Sequence, residues 1–102
     1  MHEIKLLMEH VEDELEDART YAKLAIEYKT KDPETAEMFY RLSGEEMTHM
    51  NLLHKDVVRR IENHRRMHGE PPAEMLALYD YLHRRMIDDA AEVGVLQGMY
   101  KQ

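Results

Sequence analysis

The amino-acid sequence predicts an all-α fold, an antiparallel helical hairpin followed by a third, C-terminal helix. Three observations predict it. Apolar residues recur three and then four positions apart along three long segments, the period of a helix with one buried stripe. Only two short breaks interrupt those segments, and each carries proline beside a helix-capping residue. Among 102 residues there are four Gly, three Pro and one Phe against nine Met, a composition that suits helices better than a sheet. The length corresponds to a single domain over residues 1–102.

Helix 1 is expected over about residues 3–30. Its stripe is Ile4, Leu7, Met8, Val11, Leu15, Ala18, Ala22 and Ala25. The first break is Thr30-Lys31-Asp32-Pro33, where Asp32 is a good N-cap, Pro33 a good first helical residue, and Glu34 complements the positive helix start. Helix 2 is expected over about residues 33–68, with Ala36, Phe39, Leu42, Met50, Leu53, Val57 and Ile61 as its stripe. Gly69-Glu70-Pro71-Pro72 then forms the strongest stop signal in the chain. Helix 3 is expected over about residues 72–100, with Met75, Leu78, Leu82, Met86, Ala90, Val93 and Leu96 facing inward. At 1.5 Å per residue these helices would be roughly 42, 54 and 43 Å long. Three such helices bury little surface in one chain, which predicts association into at least a dimer.

Composition excludes several classes of function. Fourteen Lys and Arg against twenty-one Asp and Glu leave a formal charge of −7, the opposite of a nucleic-acid binder's basic footprint. The absence of cysteine removes disulfides, thiolate chemistry and Cys-type zinc sites. No apolar run approaches the roughly 18 residues of a membrane span. Residues 1–9 lack a signal-peptide core, so no membrane partner and a cytoplasmic location are expected.

Two ionisable residues interrupt the stripes. Glu14 shares a heptad line with Leu7, Tyr21 and Tyr28, at the border of the buried face of helix 1. Glu46 falls within the row Phe39, Leu42, Met50 and Leu53 of helix 2, and His49 follows one turn later on the same side. A carboxylate among apolar side chains costs several kcal/mol unless it is paired, protonated or bound to a metal. Glu46 and His49 form a Glu-x-x-His, whose side chains, about 5–6 Å apart on one helical face, can close on one ion. In an antiparallel hairpin that turns at Lys31–Asp32, Glu14 lies about 17 residues before the turn and Glu46 and His49 about 14 and 17 after it. These heights agree to within about 5 Å. One carboxylate should therefore face one Glu-x-x-His. Carboxylate di-iron bundles use two of each, so this hairpin supplies half a set and two copies would supply all of it.

The stretch Glu14-Leu15-Glu16-Asp17-Ala18-Arg19-Thr20-Tyr21-Ala22, followed by Ser43-Gly44-Glu45-Glu46-Met47-Thr48-His49, resembles the ferritin-like superfamily. It is most similar to the hairpins of rubrerythrins and encapsulated ferritins, over roughly residues 10–62. The resemblance implies a four-helix ferritin-like bundle completed by dimerisation. It implies Glu14, Glu46 and His49 as catalytic and metal ligands at a di-iron site of two ions per dimer, and oxidation of Fe²⁺ by dioxygen or peroxide. Mn or Zn are alternative ions for the same donors. The implied partners are a second copy of the chain, singly or in a larger oligomer of dimers, and an encapsulating shell protein. Encapsulated members carry a loose docking tail where Val95–Gln102 here reads as helix, which argues against packaging.

The residues also admit plainer readings. Glu14 can be a surface acid beside Arg19 or Lys23, and Glu46 with His49 a polar pair that hydrogen-bonds across an interface. Tyr21 suits packing better than a role behind the ligands, and the methionines suit core filling. Asp80 and His83 form an Asp-x-x-His on helix 3, but Asp80 falls about 150° and His83 about 90° from the stripe centre. His10 is a further outside candidate, whereas His54, His64 and His68 are expected to face solvent. On these readings the chain is a metal-free helical oligomerisation or adaptor module.

Overall fold

The computed structural model describes residues 2–102; the expected domain's first residue, Met1, lies outside them. Three helices follow in order, α1 (His2–Tyr28), α2 (Pro33–His68) and α3 (Ala73–Lys101), and no strand occurs among the described residues. They form a rod of 55 × 18 × 18 Å.

The α1–α2 turn is built from backbone and cap. Lys29 N–H donates to Ile26 O at 3.3 Å and Asp32 N–H to Tyr28 O at 2.9 Å, which ends α1. Asp32 then caps α2, accepting from Thr35 N–H at 3.2 Å on one oxygen and from the Thr35 hydroxyl at 2.7 Å on the other. These two donors hold its carboxyl below the usual range. At the far end, Gly69 adopts φ 81° and returns its N–H to Arg65 O at 3.1 Å. That left-handed backbone favours glycine.

The α1 stripe is buried at Ile4, Met8, Val11, Leu15, Ala18, Ala22 and Ala25, while Leu7 lies at its edge. Toward the turn the α1 stripe narrows to the small residues Ala18, Ala22 and Ala25, all fully buried. On α2 the fully buried row is Ala36, Ser43, Met50 and Val57, a strict heptad, joined by Ile61. Phe39, Leu42 and Leu53, expected in the stripe, flank this row and are half-buried.

Ser43 enters the core because both sides of its hydroxyl are used. Its Oγ donates to Ala18 O on α1 at 2.7 Å and accepts from Gln97 Nε2 on α3 at 2.9 Å. One serine thus ties all three helices, and its buried polar group is satisfied.

α3 returns antiparallel to α2 and packs chiefly on α1. Its end is docked by Tyr100, which stacks on Tyr40 at 4.8 Å and donates to Glu37 Oε2 at 2.8 Å. Arg19 of α1 reaches Asp89 at 3.2 Å and Glu92 at 3.3 Å on α3, and Glu16 on its own helix at 2.6 Å. Only Met86 and Val93 of α3 are buried. Leu78, expected to face inward, is exposed together with Tyr81, Ile87, Val95 and Met99. Met86 and Val93 belong to the expected stripe, and its Met75, Leu82 and Ala90 pack half-buried against the core.

Candidate metal centre

Glu14 of α1 meets Glu46 and His49 of α2 across the hairpin. One ligand atom from each of the three lies within 4.8 Å of the others, and this is the one group of three or more acidic or imidazole ligands among the described residues. His49 Nδ1 is 3.6 Å from Glu14 Oε2 and 3.6 Å from Glu46 Oε1. Two donors each about 2.1 Å from a single ion can be at most about 4.2 Å apart, so both His49 pairs already fall within that span.

Burial grades across the three. The Glu46 side chain is 17% exposed, that of Glu14 25% and that of His49 53%. Glu46 sits one turn from the buried Ser43 and Met50, on the shoulder of the apolar row and not at its centre. His49 lies further round the helix and forms the open rim. The three therefore line a half-sunk notch on the hairpin face, with the carboxylates below and the imidazole above.

The electrostatics show what this notch lacks. Glu14 Oε2 is buried and no amide, hydroxyl or cation donates to it, since His49 Nδ1 stops at 3.6 Å. Arg19, the cation nearest in sequence, is occupied by Glu16, Asp89 and Glu92. The Glu46 carboxyl is pushed above its ordinary 4.5. The first cause is hydrogen bonding of its protonated form to Glu14; desolvation and repulsion from Glu14 add to it, and His49 opposes them. The two carboxylates repel each other, so ionising Glu46 beside Glu14 is disfavoured. A divalent ion would satisfy the same oxygens and leave both ionised. The donor set, two carboxylates and one imidazole, suits Fe, Mn or Zn.

The other candidates lie elsewhere. Asp80 is exposed, and His83 stacks on His54 at 5.1 Å and on Tyr79 at 5.4 Å, so α3 brings no second half-set to the notch. His10 is exposed and makes no part of the group. Tyr21 stacks on Phe39 at 6.0 Å, a packing contact between α1 and α2. His54 does not face solvent as expected. It is half-buried and shares a hydrogen bond of 2.9 Å with Tyr79 Oη across the α2–α3 contact. Nothing in its local sequence marks this, because the partner comes from another helix.

No protein-family model, no curated protein and no solved structure matches the chain.

Proposed function

We propose that this chain is a ferritin-like di-iron protein of the half-site type, whose substrate is Fe²⁺. Two copies would join their hairpins about a two-fold axis, each contributing Glu14, Glu46 and His49, to complete a four-helix bundle with two ions per dimer. The observation that carries this reading is the donorless, buried Glu14 Oε2 set against a Glu-x-x-His from the neighbouring helix. A divalent cation would satisfy that oxygen and ease the repulsion between Glu14 and Glu46.

In this reading Glu14 and Glu46 neutralise the bound cations and favour the higher charge of the oxidised product, since hard oxygen donors prefer it. His49, half-exposed at the rim, would supply the nitrogen donor to each ion. Each Fe²⁺ gives up one electron, and a pair of them reduces dioxygen to peroxide with uptake of two protons. The acidic residues Glu12, Asp13, Glu16 and Asp17 around Glu14 would draw cations toward the notch. Among the described residues no helix is long and apolar enough to cross a membrane.

The test is Fe²⁺ titration in air. Wild type is expected to bind saturably near one iron per chain and to oxidise it faster than Glu46→Ala. Identical slow oxidation in both, with no saturation, would refute the proposal.

A second reading draws on α3. Its exposed Leu78, Tyr81, Ile87, Val95 and Met99 favour a helical oligomerisation or adaptor module that uses no metal. On that reading chelators leave both the melting temperature and the oligomer size unchanged.

A further inference from the structure

The last turn of α2 carries a second arrangement of ligating atoms. His64 and His68 are four residues apart, so their rings share one helical face. The ring centroids lie 5.3 Å apart and the planes are tilted by 57°. His64 Nδ1 is 3.1 Å from the carbonyl oxygen of Gly69. A carbonyl only accepts, so in the neutral ring Nδ1 carries the hydrogen and Nε2 keeps its lone pair. The contact follows from the chain's path: Gly69 takes φ 81°, and the strand of backbone leaving the helix folds its carbonyl back toward the final turn.

This is how an imidazole is prepared for a metal. Donation of one ring N–H to a main-chain carbonyl fixes the tautomer, orients the ring and raises the basicity of the other nitrogen. His68 is exposed, and its ring faces that of His64. Spacing of i and i+4 is also the spacing at which one helix grips one ion with two histidines. The site sits at a helix C-terminus, where the partial negative charge favours cations. Of the neighbouring guanidinium groups, Arg60, one turn before His64, is paired with Asp56 at 2.9 Å, Arg65 with Glu70 at 3.1 Å, and Arg66 donates to the Asn63 side chain.

We infer that His64 and His68 form a surface site for a borderline divalent transition metal, of the class of Zn²⁺, Ni²⁺ or Cu²⁺. Two imidazoles without a carboxylate suit these ions, whereas the Glu14–Glu46–His49 notch, rich in oxygen, suits harder ones. About 22 Å of helix separates His49 from His64, so the two sites load independently. With only two protein donors, the remaining coordination positions go to water or to a donor from another molecule.

The experiment is titration of the full chain with Cu²⁺, observed by paramagnetic broadening of its assigned NMR signals, with Zn²⁺ calorimetry alongside. Wild type and a Glu46→Ala/His49→Ala variant are both expected to show saturable broadening centred on His64 and His68. His68→Ala, an exposed position whose helix content is checked by circular dichroism, is expected to lose that saturable binding at micromolar metal. Broadening spread evenly over all histidines, or confined to His49, or unchanged in His68→Ala, would overturn the site. Because the Glu46→Ala/His49→Ala variant is included, failure here is distinguishable from failure of the di-iron proposal.

Discussion

His49 Nδ1 on α2 stands 3.6 Å from Glu14 Oε2 on α1, close enough to share an ion and too far to hydrogen-bond. The distance links two helices whose only sequence connection is the turn at Asp32. It leaves Glu14 Oε2 without a donor in the protein.

Metal should therefore stabilise the fold through this contact. An ion that binds the folded chain alone, at about 100 times its Kd, adds about 2.7 kcal/mol of stability. Mn²⁺ or Fe²⁺ under anaerobic conditions is expected to raise the melting temperature of wild type. It should leave that of Glu14→Ala unchanged, as read by differential scanning calorimetry with and without chelator.

The metal-free protein should respond to pH through Glu46. Its folded pKa lies above the ordinary 4.5, so the folded state holds the proton more tightly than the unfolded chain. The associated stability is fully present below about pH 4.5 and is lost as pH rises through the folded value. Glu46→Gln keeps the shape and removes the titration. Its melting temperature in chelator should vary less over that window than that of wild type, and equal slopes would show that Glu46 titrates normally.

His54 should act in the opposite sense. Burial, and then the charge of His83, push its pKa below 6.5. The unfolded chain then binds the proton first, so stability falls as pH drops below about 6.5 and levels off below the folded value. The ring stack with Tyr79 and His83 is the contact at risk. His54→Phe retains a flat ring without the proton site. Urea denaturation at pH 7.5 and 5.5 should show a smaller difference for this variant than for wild type.

Ser43→Ala tests the three-helix tie. Loss of the hydroxyl leaves Gln97 Nε2 without its acceptor and removes a buried bond to Ala18 O. A cost of about 1–3 kcal/mol is expected, measured as a shift in urea midpoint at constant m value. Gln97→Ala should cost less, because the serine still donates to Ala18 O and Gln97 is only half-buried.

The residue order by itself determined the helices and their breaks. Apolar spacing, the Asp32-Pro33 start and the Gly69 stop are local signals, and local backbone chemistry decides them. It also determined that Glu14 and the Glu46–His49 pair lie at matching heights, since a short turn between two rods leaves one register. Tertiary packing decided the rest. Ser43 is polar and so was absent from the expected stripe, yet it lies in the buried heptad because Ala18 and Gln97, one on each of the other helices, satisfy its hydroxyl. His54 was expected in solvent, and only the return of α3 supplies Tyr79 and His83 to cover it. Most of the inner edge of α3 was legible, since Met86 and Val93 are buried and Met75, Leu82 and Ala90 pack on the core, and only Leu78 turned outward. The depth of the notch also comes from packing. Glu46 and His49 are one turn apart, but the closeness of α1 sinks the first and leaves the second at the rim.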